Sequence, residues 1–93
     1  MSIEFTWSET KCTTNIAKHG LDFADAPSVF DGMTYTFEDD RFSYEDQRFM
    51  TLGLLAGSPV SVVHTEKDHD IRIISFRKAT KREAQTFYDA IQN

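Results

Sequence analysis

The chain has 93 residues, 40% of them hydrophobic and 13% aromatic, which is enough for one compact core and too little for two. Ten Lys and Arg against fifteen Asp and Glu give a formal net charge of -5, which argues against indiscriminate nucleic-acid binding by the molecule as a whole. Cys12 alone excludes an internal disulfide, no apolar run approaches the ~20 residues of a membrane helix, and the first five residues lack a signal-peptide pattern, so one cytoplasmic domain over residues 1–93 is expected.

Ile3, Phe5 and Trp7 alternate with Glu4 and Thr6, the period of a short strand with one buried face. A helix follows. Ser8 is placed to cap it, Glu9 favours its first turn, Cys12 and Ile16 share a face, and Lys18, His19 and Gly20 close it. Asp22 to Phe30 reads as a second helical stretch with Phe23, Ala26, Val29 and Phe30 on one side; Pro27 demands either a start near Ala24 or two short pieces. Asp31 and Gly32 then turn the chain into an outer strand, Thr34-Tyr35-Thr36-Phe37. The stretch from Glu38 to Gln47 is the most polar and reads as a solvated loop.

The next strand covers about Arg48 to Leu55, with Arg48, Met50, Leu52 and Leu54 on one face. Ala56-Gly57-Ser58-Pro59 turns into a strand from Val60, and Glu66 to Asp70 form the turn into another from Ile71. Thr80 followed by Glu83 is a capping box, and Ala84, Phe87, Tyr88 and Ile91 recur at helical spacing. These elements make an α+β fold: an antiparallel meander sheet, two N-terminal helices and one C-terminal helix, with the helices packed on one side.

Charge is unevenly spread. Arg72, Arg77, Lys78, Lys81 and Arg82 against Glu83 give about +4 between Ile71 and Glu83, leaving about -9 for the remainder. A strand built from Ile71, Ile73, Ile74 and Phe76 has little structural use for two arginines, so an anion such as phosphate is the implied ligand. Strict alternation puts Arg72 and Arg77 on opposite faces unless a bulge intervenes. Lys81 and Arg82 in the first turn of the last helix oppose its dipole, a small cost that a recruited anion would offset and that exposed lysines also tolerate. The acidic remainder would suit a basic protein partner.

Trp7-Ser8, Asn15, Lys18-His19-Gly20, Phe23, Val29-Phe30-Asp31, Glu45 with Arg48, Gly53, Val62-Val63-His64-Thr65, Ile71-Arg72-Ile73-Ile74-Ser75, Arg77 and Ala79-Thr80 together resemble the BrnT family. Phe76 and Phe87 depart from it, standing where a small residue and a tyrosine are usual. The resemblance implies a RelE-like fold and a type II toxin: a ribonuclease that halts translation and is neutralised by a DNA-binding BrnA antitoxin, two toxins to two antitoxins, in a complex that represses its own operon. A metal-independent RNA cut needs a base for the 2′-hydroxyl, cationic donors at the scissile phosphate and an acid for the leaving oxygen. His64 offers the base or the acid, Arg48, Arg72 and Arg77 the phosphate clamp, Glu45 or Lys18 help with the proton, and Lys78, Lys81 and Arg82 further RNA contacts, with no cofactor. The structural alternatives are a hydrogen-bonded strand histidine at His64, a helix C-cap at Lys18 and His19, and a surface ion pair between Arg48 and Glu45 or Asp46. His64, Asp68, His69 and Asp70 are ordinary turn residues rather than metal ligands. The competing function is a non-catalytic module that serves as antitoxin partner and co-repressor.

Overall fold

The computed structural model describes residues 3–41 and 46–92. Local capping places its helices. Ser8 Oγ accepts from the Lys11 N–H and Gly20, at φ 73°, ends helix α1 (Glu9–His19). Asp22 accepts from the Ala24 N–H, opening a 3-10 turn (Phe23–Asp25) that runs into α2 (Ala26–Phe30). Pro27 thus splits the second stretch into two short pieces, because it sits at the start of α2 where its missing N–H costs nothing. Thr80 Oγ1 accepts from the Glu83 N–H while the Glu83 carboxylate accepts from the Thr80 N–H, the reciprocal box that starts α3 (Lys81–Gln92).

Five strands form one sheet in the order β1 (Glu4–Trp7), β5 (Asp70–Lys78), β4 (Ser58–Lys67), β3 (Phe49–Leu55), β2 (Tyr35–Glu38). The last four make the expected antiparallel meander, but β1 runs parallel to β5, from Glu4 opposite Asp70 to Trp7 opposite Ile73, so the sheet is mixed. Two turns are tighter than expected. Ala56 and Gly57, both at positive φ, join β3 to β4, so Ser58 and Pro59 already belong to β4; Asp68, at φ 58°, and His69 join β4 to β5.

The helices lie on both faces, not on one. Cys12, Phe23, Ala26 and Val29 pack with Val60, Val62, Ile71, Ile73 and Phe76, while Phe87 and Ile91 of α3 pack with Met50, Leu52 and Val63 on the reverse. The reason lies in strands β3 to β5, which are apolar on both sides and therefore need two covers. Gly53 lets α2 approach, since a Cβ there would stand 2.6 Å from Val29 Cγ1. The buried face of α1 is Cys12 with Asn15, and Ile16 is left 43% exposed.

Asn15 has a specific use. β1 ends opposite Ile73, and beyond that point no strand among the described residues lies beside the outer edge of β5; the Asn15 amide takes its place, donating to the Phe76 carbonyl (2.7 Å) and accepting from the Phe76 N–H (3.1 Å). Nδ2 also donates to the Leu21 carbonyl at 2.9 Å, so one buried side chain satisfies three backbone groups. Asn15→Ala strands those groups and is expected to cost about 2–4 kcal/mol. A urea titration would show this as a lower midpoint at unchanged slope; a shift below about 0.5 kcal/mol would contradict the assigned role.

Candidate functional site

Val63 of β4 lies opposite Ser75 and His64 opposite Ile73, which leaves Ile74 as an extra residue in β5. That bulge reverses the alternation. Ile71 and Ile73 before it and Phe76 after it all reach the α1–α2 face, so Arg72 and Arg77 both project on the α3 face. They are roughly 15 Å apart along the strand, too far to hold one phosphate and suitable for successive ones.

Arg77 is engaged at the start of α3. Its guanidinium makes a bidentate pair with Glu83, at 2.7 and 2.8 Å, which raises its pKa and holds the Glu83 carboxyl below its usual range. A second bidentate pair joins Arg41 to Asp39, at 2.7 and 2.9 Å. Asp39 is buried, its carboxyl lowered by the Arg41 hydrogen bonds against the cost of burial, with the Arg48 charge helping; its N–H also donates to the Arg48 carbonyl. The charges of Asp39 and Arg41 reach Arg77, and that of Arg48 reaches Asp39.

Arg72 lies apart from that group. It opens into a groove of about 310 Å³ with Asp46, Glu66, Asp70 and Lys67, where carboxylates outnumber cations. The expected single cavity in which the arginines converge is therefore replaced by an engaged cluster around Arg77 and a separate, acidic groove at Arg72. Lys18 lines a third hollow, between α1 and β5. Lys78, Lys81 and Arg82 are all exposed; Lys78 follows Arg77 onto the opposite face, and Lys81 and Arg82 occupy the first turn of α3. Glu45 lies outside the described residues.

His64 is on the other side of the sheet. It is completely buried between Phe30, ring centroids 5.2 Å away, and Phe49 at 6.1 Å, and its Nε2 is 2.7 Å from Thr51 Oγ1, which in turn pairs with Thr36 Oγ1. Its Nδ1 has no hydrogen bond among the described residues, and Glu66 Oε1 stands 3.8 Å away. Burial lowers its pKa from 6.5 to about 4, so the ring is neutral at pH 7. Neither burial nor face lets it share a phosphate with the arginines in this conformation, because β4 points residue 64 towards α2. Among the described residues no group of three His, Cys, Asp or Glu is placed to hold a metal ion.

The family model described as "Ribonuclease toxin, BrnT, of type II toxin-antitoxin system" matches residues 7–83. The chain belongs to the BrnT toxin family. It is similar to the 1.1 Å crystal structure of the Brucella abortus ribonuclease toxin BrnT, with 32% identity, a TM-score of 0.69, and alignment over 86% of this chain and 100% of that one. A comparison with curated proteins finds no match. No helix is long and apolar enough to cross a membrane among the described residues.

The matched span of this BrnT-family chain includes the bulge, Arg77 and Glu83, and stops as α3 begins. Sequence reasoning read Glu83 only as a helix cap and overlooked Asp39 and Arg41 as a pair. A signal for the first existed: in the Arg77 to Glu83 stretch one carboxylate stands among five basic or capping residues, and a capping glutamate leaves one oxygen to spare.

Protonation should act on stability in two stages. The unfolded chain takes up a proton on His64 near pH 6.5 and the folded chain only near 4, so up to about 3 kcal/mol is intact above pH 6.5 and lost as pH falls through that window. Asp39 and Glu83, held below the ordinary carboxylate range, add stability that is lost at lower pH still. His64→Gln is expected to flatten the stability curve between pH 6.5 and 4 while leaving the more acidic limb, as measured by denaturant unfolding at each pH; an unchanged slope would show that His64 is not buried as a neutral ring.

Proposed function

We propose that this BrnT-family chain is a metal-independent endoribonuclease, a RelE-like toxin acting as a single domain in the cytoplasm, which cleaves RNA and thereby stops translation. We further propose that a BrnA-like antitoxin neutralises it in a complex of two toxins and two antitoxins. The observation that supports the chemistry best is the bulge at Ile74, which turns Arg72 and Arg77 to one face of β5, with the charge of Arg41 reaching Arg77.

In the reaction the 2′-oxygen bonds to the adjacent phosphorus as the bond from phosphorus to the 5′-oxygen breaks. One proton leaves the 2′-hydroxyl and one reaches the departing oxygen. Negative charge grows on the non-bridging oxygens, and guanidiniums already fixed by carboxylates meet it without reorganising. Arg77 takes the main share, with Arg48 and Arg72 on neighbouring phosphates and Lys78, Lys81 and Arg82 supplying less specific attraction. Glu83 is suited to holding Arg77 rather than to accepting a proton, because its lowered pKa makes it a weak base. Glu45 remains as a proton carrier, Lys18 lies in the separate hollow between α1 and β5, and His64 serves to position β4 from behind.

The pairing of Arg77 with Glu83 also favours a second reading, a binding module whose cations are neutralised within the fold. Induced expression separates the two. The wild-type chain is expected to arrest growth and degrade RNA, and Arg77→Ala to lower cleavage by about 10²- to 10³-fold, the scale of losing one charge-stabilising donor. Activity that survives chelators would support metal independence. A wild-type chain that neither arrests growth nor cuts RNA would leave only the binding module.

A further inference from the structure

A groove of about 260 Å³ runs between α1 and the outer edge of β5, just past the point where β1 stops. Lys11, Thr14 and Lys18 line its helical wall at i, i+3 and i+7, and Ile74 and Ser75 of the bulge form the other wall. A helix face set against a sheet normally carries apolar side chains, and on this one only Cys12 and Asn15 are buried while the groove side is cationic and hydroxylated. None of the residues lining the groove is acidic, in a protein with a net charge of -5. The Arg72 groove, by contrast, carries three carboxylates, and Arg77 is matched by Glu83. Among the described grooves the one beside α1 is therefore the place where an incoming anion meets cations with no internal competitor.

Its position ties it to the arginines. Ser75 lies three residues from Arg72 and two from Arg77, on the strand that carries both, and opposite Val63 in the register. We propose that the α1–β5 groove is a phosphate-binding site that holds the RNA backbone, with Lys11 and Lys18 as the charged contacts and Thr14 and Ser75 as hydroxyl donors. This rests on the reading of the chain as an RNA-cleaving toxin and adds to it a route for the substrate: the strand crosses the edge of β5 at the bulge, one phosphate in the groove and the next ones towards Arg77. Lys18 then binds the backbone, and Lys11, two turns earlier on the same helix face, becomes its partner. The volume accommodates a phosphate with its ribose.

The test is fluorescence anisotropy with a 2′-O-methyl oligoribonucleotide, which binds without being cut, on the full chain and on Lys11→Gln/Lys18→Gln. Both lysines are exposed, so the variant should keep its fold, and an unchanged Tm would confirm it. Loss of two phosphate contacts should weaken Kd about tenfold or more and reduce the slope of log K against log salt by about 1.4. Thr14→Val, which keeps the charge, should weaken binding by only a few-fold. NMR titration with inorganic phosphate should move the amides of Lys11, Lys18 and Ser75 first. If the wild type binds the oligonucleotide and the double variant matches it in Kd and salt slope, the groove is not the RNA route, whatever Arg77→Ala does to cleavage. If the wild type binds the oligonucleotide through the groove and cuts nothing, the site stands and the nuclease reading falls. Response to inorganic phosphate with no RNA binding overturns the RNA assignment, and response to neither probe overturns the site.

Discussion

The outer edge of β5 changes partners at one residue, and most of the functional geometry follows from that change. Up to Ile73 the edge is paired with β1; from Phe76 onward it is held by a single side chain, Asn15. The bulge at Ile74 falls between these two regimes. A bulge leaves one residue unpaired and bends the strand, which a neighbouring strand would resist and a side-chain amide does not. Handing the edge from β1 to α1 thus makes room for the bulge, and the bulge reverses the face of everything after it. Phe76 can enter the core beneath α1 because of that reversal, and Arg77 can reach the α3 face for the same reason.

The same reversal was written in the residues but against the grain of a simple rule. Ile71 and Ile73 keep one parity and Phe76 the other, with Ile74 apolar in between, so the apolar positions themselves shift by one. Read with period 2 throughout, Arg72 and Arg77 fall on opposite faces; read as a shifted pattern, they do not. Features that depend on near neighbours were legible: the Ser8 and Gly20 ends of α1, the break at Pro27, the Thr80 and Glu83 box. Each is decided within four residues. The parallel pairing of β1 with β5 joins Glu4 to Asp70 and has no local signature, and the same holds for the Asn15 clamp on Phe76. His64 misled for a chemical reason. A polar ring in an apolar strand suggests exposure, but Thr51 satisfies one nitrogen and two phenyl rings cover the remainder.

Electrostatically the protein keeps its strongest cations occupied. Arg77 and Arg41 each have a bidentate carboxylate, and both carboxyls are held below their normal range, so neither pair dissolves at neutral pH. Partly buried, bidentate pairs of this kind fix the guanidinium plane more than they stabilise the fold. A phosphate that approaches Arg77 meets a donor already aimed, yet must share it with Glu83. Glu83 also caps α3, so any movement of its carboxylate away from Arg77 is resisted by the Thr80 N–H, which shares the same oxygen, Oε1, at 2.9 Å. The helix cap and the arginine anchor are therefore one constraint.

That constraint sets the order in which an RNA strand could engage the proposed face. Among the described residues, the lysines of α1 line a groove without a carboxylate, whereas Arg77 has one and Arg72 sits among three. Long-range attraction to the basic stretch between Ile71 and Glu83 would bring the strand in, against the acidic remainder of the molecule, which repels it elsewhere. Capture in the groove would then present the neighbouring phosphate to Arg77 as an intramolecular competitor of Glu83, at an effective concentration that free phosphate does not reach. A protein with a net charge of -5 can hold RNA in this way only if binding begins where its own carboxylates are absent, and the edge of β5 beside α1 is such a place.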